Sequence, residues 1–217
     1  MLDVLISEST DPAVNLALED DILREVEGGA RPDTLRLWVN EECIVRAPRR
    51  TRGSGWHDDD VARRLGIPVH FRTTSGGTVY QDHGNLNWSF YLRRAVGYVG
   101  ARKLFPLCAG VIAEALGELG IEAHFGAPNR IDVEGRKISG MAARASLGAV
   151  LVHGTLLVST DIARLNAVCI PPPGCPPVVR LNDLAPGVTI AAVVRSIARC
   201  AADRGGSVLS AASQTDR

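Results

Sequence analysis

The chain has 217 residues, a hydrophobic content of 46%, a charged content of 22% and a formal net charge of +0 at pH 7. This length and composition predict one soluble globular domain that can bury a sizeable core. A net charge of zero excludes a general electrostatic attraction to nucleic acid or to an anionic membrane, so any electrostatic recognition must be local.

Signals for export, membrane insertion and metal binding are not found in the sequence. The first ten residues contain no basic leader, and no segment approaches the roughly 20 apolar residues that a membrane span needs. The five cysteines are scattered and form no C-x-x-C pair, so neither a zinc site nor a redox motif is predicted. We therefore expect a cytoplasmic protein with no nucleic-acid partner, no membrane partner and no metal-ligand set.

The first half of the chain predicts one helix followed by short strands. Pro12 suits a first helical turn, and apolar residues at near-helical spacing predict a helix over 12–27. Alternating apolar and polar residues predict strands at 34–40, 43–47, 67–72, 78–82 and 85–92. A polar, arginine-rich loop over 47–60 leads into a short helix over 58–66, whose acidic first residues oppose the helix dipole favourably.

The second half predicts another group of strands between helices. A long helix is expected over 101–120, with Pro106 delaying or kinking its start. Strands are predicted at 121–125, 130–134, 136–144 and 148–159. A helix over 161–168, a proline-rich segment over 171–177 that can be neither helix nor central strand, a final helix over 189–205 and a frayed tail complete the chain. Several consecutive strands between helices predict an α+β fold with a mixed, mainly antiparallel sheet.

A Ser-Gly-Gly turn within "FRTTSGGTVYQDHGNLNWSF" is the first candidate for a binding site. Arg72 ends a strand, and the small residues over 74–77 expose backbone N–H groups to an anion or a carboxyl group. Such a turn alone is more often a hairpin than a ligand loop. Hydrogen-bonding side chains follow it closely, at Thr78, Gln81, Asp82, Asn85 and Asn87. The spacing matches neither a Walker loop nor a dinucleotide fingerprint.

Lys137 is the second candidate, because lysine is rare in this chain. Among 24 lysines and arginines, only Lys103 and Lys137 are lysines. Lys137 lies on a predicted strand between Gly135 and Gly140, where an ammonium can stabilise charge on a carbonyl or phosphoryl oxygen. A solvated surface lysine is the alternative interpretation. His153, in an apolar strand, is by itself more often a hydrogen-bonded core histidine than a ligand.

The basic loop over 46–55 is the third candidate. Its arginines suit an acidic partner or a nucleotide phosphate, although most such runs are solvated. No serine lies in a nucleophile elbow, and no set of His, Cys and Asp has metal-ligand spacing.

Together these segments resemble the family of biotin and lipoate protein ligases and octanoyl transferases, most closely the lipoate-protein ligase catalytic domain. The glycine turn with its following strand resembles the family's glycine loop, and "DPAVNLALEDDIL" resembles its opening helix. Three later segments, "GRKISGMA", "HGTLLVSTD" and "VVRLNDL", resemble its lysine strand, His-Gly-Thr strand and Arg-Val-x-Asn-Leu segment. The matches run in the family's order from about residue 10 to residue 200.

The resemblance implies a class II synthetase-like fold. In this chain we expect one catalytic domain over 1–204, a flexible tail over 205–217 and no C-terminal accessory domain. The resemblance also implies activation of lipoate or octanoate with ATP as an acyl-adenylate. The acyl group would then pass to a lysine of a lipoyl carrier domain of the H-protein or E2 type. Because many lipoate ligases carry the accessory domain, a separate accessory subunit and a reaction without one are both open alternatives.

The resemblance also assigns site residues by position. Lys137 would be the catalytic residue, contacting the acyl carbonyl and the phosphate. Asn85 and Asn129 would hold the nucleotide or the acyl head group. The other substrate-binding and nucleotide-binding positions are Arg72, Ser75, Gly76, Gly77, Thr78, Gly140, His153, Gly154 and Thr155.

Several residues depart from the family's pattern. Phe71, Ser75 and Gln81 stand where an arginine, a glycine and a histidine are expected. Arg130 replaces an aspartate that would help to hold Mg²⁺, so the metal is implied together with ATP but no residue is assigned to it. His124 lies near the position where the most similar transferase branch has its cysteine nucleophile.

Three functions follow as hypotheses. The first is an ATP-dependent lipoate-protein ligase. The second is an ATP-independent transferase that moves octanoyl or lipoyl groups between carriers, which Arg130 and the missing accessory domain favour and the missing cysteine opposes. The third is a non-catalytic relative that binds an acyl group or an adenylate.

Overall fold

The computed structural model describes residues 2–48, 56–94 and 100–213, and over 204–213 it describes the backbone only. Six α-helices are formed within these ranges: α1 (Pro12–Gly28), α2 (Asp59–Arg64), α3 (Phe105–Gly117), α4 (Ile162–Val168), α5 (Leu181–Leu184) and α6 (Ile190–Ser213). A 3-10 turn over Ala101–Leu104 precedes α3. The strands are β1 (Asp3–Ile6), β2 (Thr34–Trp38), β3 (Cys43–Arg46), β4 (Val69–Phe71), β5 (Val79–Gln81), β6 (Asn85–Arg93), β7 (His124–Gly126), β8 (Arg130–Val133), β9 (Arg136–Ala145) and β10 (Ala149–Leu157).

The strands form a large sheet and a small one. The large sheet has the order β1-β2-β6-β10-β9-β8-β7, and the small sheet has the order β4-β3-β5. The pairs β1–β2 and β3–β4 are parallel, whereas the other described pairs are antiparallel. The predicted α+β fold with a mixed, mainly antiparallel sheet is therefore confirmed.

Alternation along the central strands gives the large sheet two different faces. On one face, the apolar side chains of β6 pack into the main core with residues of α3 and α6. On the other face, α1 covers a smaller apolar cluster that includes Tyr91 and Leu151. The polar positions Asn87, Ser89 and His153 lie on the same strands between apolar neighbours. Because side chains alternate across a strand, these polar groups share the α1 side of the sheet.

Helix α1 begins and ends close to the predicted positions because both ends are capped. The Asp11 carboxylate accepts hydrogen bonds from the N–H groups of Ala13 and Val14, at 2.7 and 3.1 Å. Pro12 occupies the first turn, and Gly29 ends the helix in the left-handed conformation with φ of 79°. The two caps satisfy backbone groups at the helix ends and so determine where the helix begins and ends.

The structure differs from the predicted elements at three places. Strand β1 and helix α5 were not predicted, because the apolar run of β1 does not alternate with polar residues and α5 is too short to show a helical period. Helix α6 continues to Ser213, so the backbone over 205–213 is helical where a frayed tail was expected. The two glycines at 205 and 206 cost roughly 1 kcal/mol each in a helix, and the alanines and leucine beyond them favour its continuation. The division into a domain over 1–204 and a flexible tail stays a prediction.

Other predicted features are found in the described part of the chain. Pro106 lies in the first turn of α3, which begins only after the 3-10 turn. The proline-rich segment over 171–177 forms neither helix nor strand. None of the described helices is both long and apolar enough to cross a membrane.

Candidate active site

A cavity of about 630 Å³ lies among α1, both sheets, α4 and the proline-rich segment. Its volume is within the range of small-molecule sites, roughly 300–1,000 Å³. Eleven of the twelve assigned site residues line it, namely Arg72, Ser75, Gly76, Gly77, Thr78, Asn129, Lys137, Gly140, His153, Gly154 and Thr155. Segments that lie up to 83 residues apart in the sequence, from residue 72 to residue 155, are thus brought to one cavity.

Asn85 is the assigned residue that the structure does not place in the wall. It is fully buried at the start of β6, and its Nδ2 donates to Oδ1 of Asn87 at 3.2 Å. Asn87 lines the cavity instead, and Gln81 Nε2 also donates to its Oδ1 at 2.8 Å. Asn85 and Asn87 are two residues apart on β6 and share one face of the strand, so the sequence pattern could not show which of them reaches the cavity. Asn85 therefore contacts the wall through Asn87, and its assigned role in holding the nucleotide or the acyl head group stays a prediction.

Lys137 is fixed in the cavity wall by its backbone. Its N–H donates to the carbonyl of Pro177 at 2.8 Å, and its carbonyl accepts from the N–H of Val179 at 3.0 Å. The side chain lies over Gly140, since a Cβ at that glycine would be only 2.9 Å from Lys137 Nζ. Nζ forms no ion pair with any carboxylate in the part of the chain that the structure describes. The ammonium is therefore available to a carbonyl or phosphoryl oxygen.

A chain of hydrogen bonds joins α1 to the glycine turn. His153 Nδ1 lies 2.9 Å from Oε1 of Glu19, and His153 Nε2 lies 2.8 Å from the hydroxyl of Thr74. Arg72 Nε donates to the same hydroxyl at 2.9 Å, and its Nη2 donates to the carbonyls of Ser75 and Gly77. The guanidinium of Arg72 thus stabilises the conformation of the turn by hydrogen bonds to three of its residues.

The proton positions in this network follow from its acceptors. An ionised Glu19 can only accept, so His153 donates from Nδ1, and Ser89 donates its hydroxyl proton to the same carboxylate at 2.8 Å. His153 Nε2 lies within hydrogen-bond distance of the Thr74 hydroxyl, which accepts a hydrogen bond from Arg72 Nε. Every buried group in the series has a partner of the correct type.

Burial and neighbouring charges determine how the buried groups of the network ionise. Burial raises the pKa of Glu19, but the opposing effects of His153, Ser89 and Arg36 are together larger and lower it. Burial lowers the pKa of Arg72 to about 10, which leaves its guanidinium charged at neutral pH. The site therefore keeps an anion and a cation in a largely dry environment.

Glu19 is a site residue that the sequence reasoning missed. It lies on the buried face of α1 together with Asn15, Ile22 and Val26. The signal was present, because helical spacing places a carboxylate on the apolar face, where an unpaired charge is rarely tolerated. Cys169, to which the sequence assigned no role, also lines the cavity. Further wall residues that were not assigned include Leu16, Trp38, Val45, Trp56, Tyr80 and Met141.

The residues around Arg130 do not fit a protein-held Mg²⁺. Arg130 Nε lies 2.6 Å from Oδ2 of Asp132, and its Nη1 donates to the carbonyl of Ala127 at 2.7 Å. Among the described residues of the wall, the one carboxylate is Glu19, which His153 and Ser89 already occupy. No group of three His, Cys, Asp or Glu suited to a metal occurs in the described ranges. Mg²⁺ prefers carboxylate oxygens, so this wall offers it no ligand set.

The basic loop over 46–55 falls mostly outside the described residues. Arg46 is described, and it is buried at the end of β3. Its guanidinium lies 4.8 Å from the centroid of the Phe71 ring, which is an exposed aromatic. This contact is a cation–π interaction beside the cavity, and whether the rest of the loop meets a phosphate stays a prediction.

Two curated relatives resemble the chain over most of its length. An Aeropyrum pernix protein assigned as a lipoate-protein ligase A is 36% identical over 169 residues, which cover 77% of this chain and 62% of that protein. The Bacillus subtilis lipoate-protein ligase LplJ is 34% identical over 152 residues, which cover 70% of this chain and 44% of that protein. The chain thus spans about half the length of these relatives.

Solved structures of ligases share the fold. A T. acidophilum protein assigned as a lipoate protein ligase, with bound lipoic acid, has a TM-score of 0.83 at 24% identity, covering 99% of this chain and 87% of that chain. A lipoate-protein ligase A bound with ATP gives the same values. A bipartite lipoate protein ligase from Thermoplasma acidophilum, analysed with its E2 lipoyl domain, has a TM-score of 0.81 at 22% identity, covering 99% and 85%. The expected class II synthetase-like ligase fold is confirmed.

The match to a family model agrees with the fold and with the residues of the cavity. Residues 11–201 match the model of the lipoyl protein ligase A/B catalytic domain. This range contains the glycine turn, the Lys137 strand and the His-Gly-Thr strand, which line one cavity. The chain belongs to the lipoyl protein ligase A/B catalytic-domain family.

Proposed function

We propose that this chain activates lipoate or octanoate with ATP and transfers the acyl group to a lysine of a lipoyl carrier domain. The main observation in support is the position of the Lys137 ammonium. It lies over Gly140 in the cavity and has no carboxylate partner in the described chain. The names of the relatives support the same reaction, as do the neighbouring structures with lipoic acid and with ATP.

The proposed reaction has two steps. A carboxylate oxygen of the acyl substrate attacks the α-phosphorus of ATP, which forms the acyl-adenylate and releases pyrophosphate. The ε-amine of the carrier lysine then attacks the acyl carbonyl, AMP leaves, and the amine loses a proton. Lys137 stabilises the negative charge that develops on the phosphoryl oxygen and on the carbonyl oxygen. Arg72 and the turn over 74–77 hold the adenylate in place.

The cavity wall suits an aliphatic acyl chain. Leu16, Trp38, Val45 and Met141 supply apolar surface beside the polar network of Glu19. A chain of methylene groups gains free energy from burial against such a wall, while the carboxyl end can reach Lys137. The wall does not by its chemistry separate lipoate from octanoate, so we include both acids in the proposal.

We propose an E2-type or H-protein lipoyl domain as the acyl acceptor. The Thermoplasma acidophilum ligase with its E2 lipoyl domain supports this choice, and that ligase is described as bipartite. An accessory subunit is therefore included as a separate component of the assay.

Mass spectrometry of a purified lipoyl domain tests the proposal. The chain is incubated with the domain, ATP, Mg²⁺ and lipoate or octanoate, with and without an accessory subunit. A parallel sample omits ATP and supplies an octanoyl-loaded carrier. We expect acylation of one lysine of the domain only when ATP and the free acid are present. Acylation only in the ATP-free sample would contradict the proposal, and tight binding of lipoyl-adenylate without acylation in either sample would indicate a binding protein.

An ATP-independent transferase is the second candidate, because the structure provides a cysteine at a position the sequence did not indicate. His124 lies exposed on β7, away from the wall, whereas Cys169 and Cys175 line the cavity. The Cys169 thiol would attack the carrier's acyl thioester, release the carrier thiol and later pass the acyl group to a lysine. Burial raises the pKa of Cys169 to about 11, and nearby Lys137 only partly opposes this effect. A protonated thiol is a poor nucleophile. We therefore place the transferase function second, after the ATP-dependent ligase.

Replacing Gly140 with Ala is expected to lower acyl transfer without unfolding the protein. The new methyl group would lie 2.9 Å from Nζ and 3.1 Å from Cε of Lys137, so the flexible end of that side chain must move. A displacement of about 1 Å in a reacting group lowers rates by up to about a hundredfold. The measurement is kcat/KM for the lipoyl domain, with Tm as the control for folding.

Gly117→Ala provides a matched control, since a Cβ there contacts nothing within 4 Å. That variant is expected to keep wild-type activity. An unchanged kcat/KM for Gly140→Ala would show that the position of the ammonium over Gly140 is not required.

A further inference from the structure

Two cations lie side by side in the cavity wall. Arg130 on β8 pairs in register with Gly140 on β9, and Lys137 Nζ lies over that same glycine. Both side chains line the cavity. Asp132 is paired with Arg130, whereas Lys137 has no ion-pair partner among the described residues, so a bound anion would stabilise the second of these cations.

The guanidinium of Arg130 is held in a fixed direction. Asp132, which is 3% exposed, binds its Nε, and the carbonyl of Ala127 binds its Nη1. Gly126 leaves room for this pair, because a Cβ there would lie 2.1 Å from Oδ2 of Asp132 and 2.9 Å from Cγ of Arg130. Nη2 makes no hydrogen bond with any residue that the structure describes. Its two N–H donors are therefore left for a ligand.

Ser139 adds an unpartnered hydroxyl to the same part of the wall. It is 1% exposed, lines the cavity and lies two residues from Lys137 on β9. Its Oγ has no hydrogen-bond partner among the described residues. A buried hydroxyl without a partner costs free energy, and an oxygen atom of a bound ligand would satisfy it.

The charge of the wall favours a multiply charged anion. Its described cations are Arg72, Arg102, Arg130 and Lys137, whereas its one described carboxylate, Glu19, is bound to His153. The remaining Nη2 of Arg130 can donate two hydrogen bonds to phosphate oxygens, and the ammonium of Lys137 adds a compact point charge. A phosphoanhydride carries enough negative charge and enough oxygen atoms to contact Arg130, Lys137 and the hydroxyl of Ser139 together.

We propose that Arg130, Lys137 and Ser139 bind the phosphates of a nucleoside triphosphate directly, with Arg130 supplying the positive charge that no protein-held metal supplies here. This inference rests on the proposed use of ATP. Inorganic pyrophosphate has the same chemistry and serves as a second probe of the site. Nucleotide affinity should then depend little on Mg²⁺ and strongly on Arg130.

Isothermal titration calorimetry with ATP and with pyrophosphate, each in Mg²⁺ and in EDTA, tests the proposal. For the wild-type chain we expect the Kd for ATP to change less than about threefold between the two conditions. Arg130→Gln is expected to weaken both ligands by about tenfold to a hundredfold in either condition, because charge-assisted hydrogen bonds are lost. Arg130→Asp is expected to bind ATP only when Mg²⁺ is present. Arg136→Gln, at an exposed arginine paired with Glu134, is the control and should bind as wild type does.

Removing Arg130 also leaves the buried Asp132 without its partner, which could destabilise the fold. The double variant Arg130→Gln with Asp132→Asn removes this unpaired charge and serves as the control for folding. It should fold, as judged by Tm, and should show the same loss of pyrophosphate binding. Wild-type affinity for pyrophosphate in either variant would overturn the inference, as would loss of ATP binding by the wild-type chain in EDTA. Arg130-dependent pyrophosphate binding without any ATP-dependent acylation would support the inference while rejecting the proposed function. ATP-dependent acylation that Arg130→Gln leaves unchanged would support the proposed function while rejecting the inference about Arg130.

Discussion

Lys137→Ala and Lys137→Arg are each expected to abolish acyl transfer, with a fall in kcat/KM of about a hundredfold to a thousandfold or more. Alanine removes the cation from the cavity. Arginine keeps the charge, but its planar guanidinium replaces a compact ammonium that lies against Gly140. The measurement is the rate of lipoyl-domain acylation, followed by mass spectrometry under saturating ATP.

The chain offers a matched control for these variants, because it contains only two lysines. Lys103 lies exposed on the 3-10 turn and does not line the cavity. Lys103→Arg should therefore transfer acyl groups at the wild-type rate. A Lys137→Arg variant that kept more than about a tenth of wild-type activity would remove the proposed role of the ammonium.

Glu19→Ala is expected to lower the free energy of unfolding by about 3–5 kcal/mol, the usual cost of removing one partner from a buried charge network. Without the carboxylate, His153 Nδ1 and the hydroxyl of Ser89 lose their acceptor. The fully buried Arg36 also loses the nearby anion. Native proteins have only about 5–15 kcal/mol of stability in total, so this change should be clear in denaturant unfolding.

Two further variants show which part of Glu19 is responsible. Glu19→Gln keeps an acceptor oxygen but removes the charge, so an intermediate loss of about 1–3 kcal/mol is expected. Asp21→Ala removes an exposed neighbour on the same helix, 51% exposed and paired with Arg24, and should cost less than about 1 kcal/mol. Equal stability for Glu19→Ala and Asp21→Ala would show that the network does not contribute.

The stability difference between the wild-type chain and Glu19→Gln should depend on pH. The folded state lowers the pKa of Glu19 from its ordinary value of 4.5. Folding therefore favours the ionised carboxylate, whose contribution is complete above the unfolded-state pKa and is lost as the pH falls through the lower folded-state pKa. The difference measured at pH 7 should shrink below pH 4.5. A difference that stayed constant down to pH 3 would contradict this assignment.

The sequence predicted most elements because local signals agree with the fold. The caps of α1 and the alternation along β6 place both elements correctly. Such signals are local, so they identify an element without showing which other elements it contacts. The short β1 and α5, and the continuation of α6, depend on packing or on the balance of weak helix preferences, and these were missed.

The candidate site shows the same division between local and long-range information. Lys137 stood out from composition and from its flanking glycines, and its position in the cavity agrees with that prediction. Glu19 acts through His153, which lies 134 residues further along the chain. A contact at that sequence distance leaves no periodic trace, and the position of Asn87 in the wall likewise required the cavity itself to be known. Cys169 could likewise be recognised as a wall residue only after the fold was known, because the cavity is formed by residues that are distant in the sequence.

The intermediate is the most direct evidence for the proposed reaction. The chain is mixed with lipoate and ATP in the absence of any carrier, and the protein with its bound molecules is examined by native mass spectrometry. An ATP-dependent ligase should retain lipoyl-AMP and release pyrophosphate, and Lys137→Ala should retain far less of the intermediate. If no lipoyl-AMP forms, and an acyl-loaded carrier instead leaves its acyl group on Cys169, the chain does not activate its substrate with ATP.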